Sequence, residues 1–85
     1  MEYITFRGKK FEIRNEVLRL KSLGIKNLQE IESLETITYL RILNLGENKI
    51  SEISGLNRFL KLEKLRLNLN RIKEIKGLEN LHFLR

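Results

Sequence analysis

The chain has 85 residues, with 17 Lys and Arg against 11 acidic residues, one His and no Cys or Pro. That length allows one small domain. The absence of Cys excludes a disulfide and any thiolate metal site, and no stretch approaches the ~20 apolar residues of a membrane-spanning helix.

All 11 acids are Glu, and the net charge of +6 is weighted towards the second half of the chain. A basic balance attracts nucleic acid, anionic lipid or an acidic protein face. It also keeps a small domain soluble. The opening MEYITFRGKK carries charges where a secretory leader needs an apolar run. With no Cys in the chain, a soluble cytoplasmic protein is expected.

Residues 3–14, YITFRGKKFEIR, alternate like two strands. With Gly8-Lys9 at the turn and Gly8 in the first central position, a type II′ hairpin follows. That register sets Phe6 opposite Phe11 and Ile4 opposite Ile13 on one face, with Arg7 opposite Lys10 on the other. Residues 1–15 are therefore expected to cap whatever follows. Arg7, Lys9 and Lys10 at the tip offer an alternative role in contacting phosphate.

Residues 16–39 hold a first repeat unit with two possible registers. A step of 22 residues aligns Leu23 with Leu45 but turns Lys21 inward. A step of 25 aligns Leu18 and Leu20 with Leu43 and Leu45. An unpaired inward lysine is costly, so the longer step is predicted. Leu23 then stands where the later units have Asn.

From Leu40 the same 22-residue pattern is written twice, LRILNLGENKISEISGLNRFLK and LEKLRLNLNRIKEIKGLENLHF, and Leu84 falls where a further copy would begin. A fixed period of this size marks stacked supersecondary units. LxxLxL puts Leu43 and Leu45 on one side of a short strand, with Ile42 and Asn44 on the other. Ile50, Ile53, Leu56, Phe59 and Leu62 then fall three apart, a spacing suited to a 3₁₀-like return. Asn48 and Asn70 sit where the chain leaves each strand. A carboxamide there can satisfy backbone groups that turning leaves unpaired. Glu30, Glu52 and Glu74 recur in one column, but one carboxylate per unit cannot supply the six or more oxygens of a calcium site. Surface pairs of Lys49 with Glu52 and Arg71 with Glu74 are expected instead.

These residues match LxxLxLxxNxI, and from Val17 onward the chain resembles the leucine-rich repeats of the short, 22-residue class. The resemblance implies an α/β repeat solenoid: a right-handed coil with short parallel strands on the concave side and 3₁₀ or irregular convex returns. It would carry about three repeats over residues 16–85, break off at the start of a fourth, and have the N-terminal β-hairpin as its cap. It also implies that the strand face is the binding surface.

In the predicted register that face presents Val17, Arg19, Lys21, Ile42, Asn44, Gly46, Lys64, Arg66 and Asn68. Of these Arg19, Lys21, Ile42, Asn44, Lys64, Arg66 and Asn68 are the expected partner-binding residues, and an acidic protein surface is the expected partner. Asn48, Asn70 and Gly8 are expected to be structural. The last unit leaves the flank of Leu65, Leu67, Ile72, Ile75 and Leu78 without a cover, so homodimerisation through it is the alternative. His82 alone, without Cys or Asp, makes no catalytic triad or His-based metal cluster. No phosphate-cradling motif is present. A non-catalytic protein without metal or cofactor is expected, and scarce aromatic platforms disfavour nucleic acid.

Overall fold

In the computed structural model, which describes residues 2–84, the short apolar alternations form five strands in two separate sheets. Strands β1 (Tyr3–Phe6) and β2 (Lys9–Glu12) make an antiparallel hairpin. Strands β3 (Val17–Arg19), β4 (Ile42–Asn44) and β5 (Lys64–Arg66) lie parallel in chain order. The step from β3 to β4 is the longer one, with Leu18 beside Leu43 and Leu43 beside Leu65.

The expected solenoid is not what this chain forms. Among the described residues there is no α-helix, and two separate sheets of two and three strands replace a continuous coil. The radius of gyration is 11.8 Å, against about 12 Å for a compact globule of this length. The physical reason lies in the returns. Three-residue spacing supports only single 3₁₀ turns, Leu28–Glu30 and Leu34–Thr36 in the first unit, and irregular chain in the later ones. With three strands of three residues each, the parallel sheet is no longer than the globule is wide.

The hairpin register also differs from expectation. Ile4 pairs with Phe11 and Phe6 with Lys9, so the turn is Arg7-Gly8. Both turn residues have positive φ, 52° and 78°, as a type I′ turn requires. Gly8 is therefore the second central residue. The expected register would have put Arg7 directly opposite Lys10, and like charges across a strand pair are destabilising. The observed one places Lys10 over the Tyr3 ring at 4.5 Å and Lys9 over Phe11 at 5.5 Å. Arg7 lies 4.7 Å from the Phe6 ring centroid and 3.6 Å from Glu30. The tip cations are thus engaged within the chain. Thr5 bonds reciprocally with Glu32, which ties the hairpin to the first return.

Most of the apolar positions converge on one core. Ile4 and Phe6 from the hairpin join Leu18, Leu20, Ile25, Leu43, Leu45, Ile50, Phe59 and the residues three apart between them, all buried. Burial fades towards the last unit. Leu43, Leu45, Ile50 and Ile53 are at most 5% exposed. Their equivalents Leu65, Leu67 and Ile72 are half-buried, and Ile75 is 73% exposed.

Asn48 and Asn70 fasten neighbouring turns. The Asn48 Oδ1 accepts from the N–H groups of Leu23 and Ile25, and its Nδ2 donates to the carbonyls of Leu20, Leu45 and Gly46, at 2.9–3.1 Å. Asn70 repeats the pattern one unit on. It accepts from the Ile50 N–H at 3.0 Å and donates to the carbonyls of Leu45, Leu67 and Asn68. Leu23, in the Asn place of the first unit, has no carboxamide of its own and takes its partner from Asn48.

Two carboxylates carry a pH consequence. Glu30 Oε2 accepts the backbone N–H groups of Asn27 and Lys26 at 2.9 and 2.8 Å, and these bonds hold its pKa below the ordinary carboxylate value. The Ser22 hydroxyl and then Lys21 do the same for Glu47. A folded-state pKa below the unfolded one means that the unfolded chain binds more protons on acidification. The stabilisation is complete above the unfolded value of about 4.3 and is lost as pH falls through the depressed folded values. Urea midpoints should therefore fall on acidification below that value, and less steeply in Glu30→Gln. Parallel acid limbs for the two proteins would contradict the assignment.

Candidate functional site

The outward side chains of β3, β4 and β5 form the one face on which the predicted residues meet. Alternation along each strand sends Leu18, Leu43 and Leu65 inward and their neighbours outward. The parallel register then stacks the outward residues in columns: Val17, Ile42 and Lys64, then Arg19, Asn44 and Arg66. The hydrogen bonding runs on past the strand ends. Ser22 N–H donates to the Gly46 carbonyl at 3.1 Å and Glu47 N–H to the Asn68 carbonyl at 2.8 Å, which brings Lys21, Gly46 and Asn68 into a third row.

The charges on this face are not uniform. Lys21 Nζ lies 3.3 Å from Glu47, which also accepts from the Ser22 hydroxyl at 2.9 Å. At the opposite end Arg41 lies between Glu16 and Glu63, with Nε donating to Glu63 at 3.0 Å and a second nitrogen 3.8 Å from Glu16. The hydrogen bond that Arg41 donates to Glu63 raises the Arg41 pKa further. Both ends of the face are therefore bounded by acid–base pairs. Between them Arg19, Lys64 and Arg66 are exposed and make no ion pair among the described residues. Val17 and Ile42 are half-buried beside them.

Gly46 shapes the floor of the third row. The Asn44 Oδ1 accepts its N–H at 2.9 Å, and a Cβ at this position would come within 2.7 Å of the Asn68 Oδ1. The two carboxamides fold over the glycine, which is buried despite its place on the outer face.

Reading the sequence placed Arg19, Lys21, Ile42, Asn44, Lys64, Arg66 and Asn68 on this face and missed the residues that border it. Glu47 was overlooked because it follows the strand, at φ 55°, where alternation no longer applies. Glu16, Arg41 and Glu63 precede the strands, yet their spacing matches the step of the units and was a usable signal.

Of the flank residues, Leu65, Leu67, Ile72 and Leu78 are half-buried against the core, whereas Ile75 stands out into solvent. The anticipated pairs of Lys49 with Glu52 and Arg71 with Glu74 do not form; Glu74 lies 3.6 Å from Lys76 instead. Among the described residues no three His, Cys, Asp or Glu side chains cluster as metal ligands, and His82 is exposed. No helix of the described residues is long and apolar enough to cross a membrane. The chain matches no protein-family model, no curated protein and no solved structure.

Proposed function

We propose that this chain is a non-catalytic interaction module of the cytoplasm, and that the outer face of its parallel sheet binds an acidic protein surface. One observation carries the reading: three cations without ion-pair partners among the described residues, Arg19, Lys64 and Arg66, flank the half-buried Val17 and Ile42 on a hydrogen-bonded sheet. Carboxylates of a partner would supply the missing counter-charges, and an apolar side chain would cover Val17 and Ile42. Arg favours this role because its planar fork meets a carboxylate through two hydrogen bonds.

Nucleic acid fits less well. Phe6 and Phe59 are buried and Tyr3 and Phe11 lie under lysines, so Phe83 is the one strongly exposed ring among the described residues, and a single ring makes no run of stacking platforms. The test is binding of a Glu-rich peptide carrying one leucine. Arg66→Glu and Lys64→Glu should each weaken it by roughly tenfold or more, the value of one lost charge-assisted bond, while leaving the urea midpoint unchanged. Unaltered peptide affinity in both variants would overturn the proposal.

A second reading, homodimerisation through the Leu65, Leu67, Ile72, Ile75 and Leu78 flank, is favoured by a different observation. Leu45 and Glu47 donate their N–H groups to the neighbouring β5 segment. The equivalent N–H groups of Leu67 and Leu69 have no acceptor among the described residues. An open edge of this kind is a template for another strand. Light scattering over a wide concentration range decides it: a dimer supports the reading and a monomer throughout removes it.

A further inference from the structure

A second basic surface lies on the turns that leave the parallel sheet. Lys26, Lys49 and Arg71, one from each unit, line an open groove of about 790 Å³. The backbone fixes their spacing. Lys49 N–H donates to the Ile25 carbonyl and Arg71 N–H to the Ile50 carbonyl, both at 2.8 Å. The three cations are thus mounted on neighbouring, laterally bonded turns.

None of the three has an ion-pair partner among the described residues, and local hydrogen bonding explains why for Lys26. The nearest carboxylate in sequence, Glu30, is turned back onto the Lys26 and Asn27 N–H groups and faces Arg7 with its other oxygen. The rest of the groove wall is built from side chains that donate hydrogen bonds, chiefly Ser51, Ser54 and Gln29, with Glu52 the single carboxylate. No aliphatic or aromatic residue lines it.

We propose that this groove binds a multiply charged phosphate group, bridged between Arg71 and Lys49 on one side and Lys26 on the other. The chemistry is that of an oligophosphate: several oxyanions close together, each needing a cationic or hydroxyl donor. A single acidic side chain would engage only one of the three cations. Arg71 offers a bidentate fork to one phosphate, while the two lysines act as point charges on its neighbours. Glu52 opposes binding and sets its strength. This site is separate from the sheet face and does not depend on that face's function.

The test titrates inorganic triphosphate into the full chain while following backbone amide resonances. Shifts should centre on Lys26, Lys49, Ser51 and Arg71 and weaken as salt screens the charges. Arg71→Gln and Lys49→Gln should each weaken binding by roughly tenfold, as expected for a lost hydrogen bond to a charged group, and Glu52→Gln should strengthen it. Lys61→Gln, which removes an exposed cation elsewhere, should leave it unchanged.

A parallel arm uses phosphatidylcholine vesicles containing a phosphoinositide. Vesicle binding lost in the same groove variants would identify a lipid headgroup as the source of the phosphates. Binding of free triphosphate alone would identify a soluble ligand. Shifts spread over all basic residues, or equal weakening by Lys61→Gln and Arg71→Gln, would overturn the proposal, as would failure of both probes to bind.

Discussion

Asn48→Ala should be among the most damaging single substitutions in this chain, lowering stability by about 3–5 kcal/mol in urea unfolding. The carboxamide is 6% exposed and makes five hydrogen bonds, two accepted from the Leu23 and Ile25 N–H groups and three donated to carbonyls. Removing it leaves the Leu23 and Ile25 N–H groups and the Leu20 carbonyl without that partner, while the Leu45 and Gly46 carbonyls keep Asn70 and the Ser22 N–H, and each unsatisfied buried group costs about 1–3 kcal/mol. A domain of this size has only about 4–13 kcal/mol in total, so partial unfolding at ambient temperature would be consistent with the upper end. Asn70→Ala is the internal control. Asn70 is half-buried and accepts from one N–H, that of Ile50, so its loss should cost about 1–2 kcal/mol. Equal effects at the two positions would show that the hydrogen-bond geometry described for Asn48 does not hold the turns together.

The second large effect separates sequence from environment. Leu45 and Leu67 occupy the same place in the two 22-residue copies, yet Leu45 is fully buried and Leu67 half-buried. Leu45→Ala removes a filled core position and should cost about 3–4 kcal/mol, the usual range for a buried leucine. Leu67→Ala should cost about 1 kcal/mol, because its methyl groups already meet solvent and little cavity forms. The comparison also bears on self-association. If a second copy covers the flank, the cost at Leu67 rises with protein concentration, since a dimer's stability depends on the concentration of its protomers. A concentration-independent loss near 1 kcal/mol would speak for an open flank. A loss at Leu67 equal to that at Leu45 in dilute solution would contradict the burial gradient itself.

How far the structure was legible from sequence depends on which physical constraint decided each part. The strand register was readable because an inward Lys21 would have needed a buried partner, and that one penalty selected the 25-residue step seen in the Leu18–Leu43 pairing. The outward columns followed from alternation alone. The hairpin turn was misread because Gly8 fits either central position of a two-residue turn. What decided between them was the avoidance of Arg7 opposite Lys10 and the stacking of Lys10 on Tyr3, contacts that turn preferences do not contain.

The larger error was at the level of architecture. The 22-residue period was treated as if it fixed a coil, but a period specifies only that like segments lie side by side. Three strands of three residues and a separate hairpin close around one core as a globule. The ion pairs of the return segments were misjudged for a related reason. Spacing of three residues brings side chains together only on a regular 3₁₀ or α-helical path, and the chain around Lys49–Glu52 and Arg71–Glu74 is irregular.

The most direct test of the proposed function is a map of where the Glu-rich, leucine-bearing peptide binds, read from backbone amide shifts of the intact chain. The account predicts shifts confined to β3, β4 and β5, largest at Arg19, Asn44 and Arg66, with Val17 and Ile42 responding only when the leucine is present. Shifts centred away from these strands, or the same shifts from a peptide lacking the leucine, would contradict it.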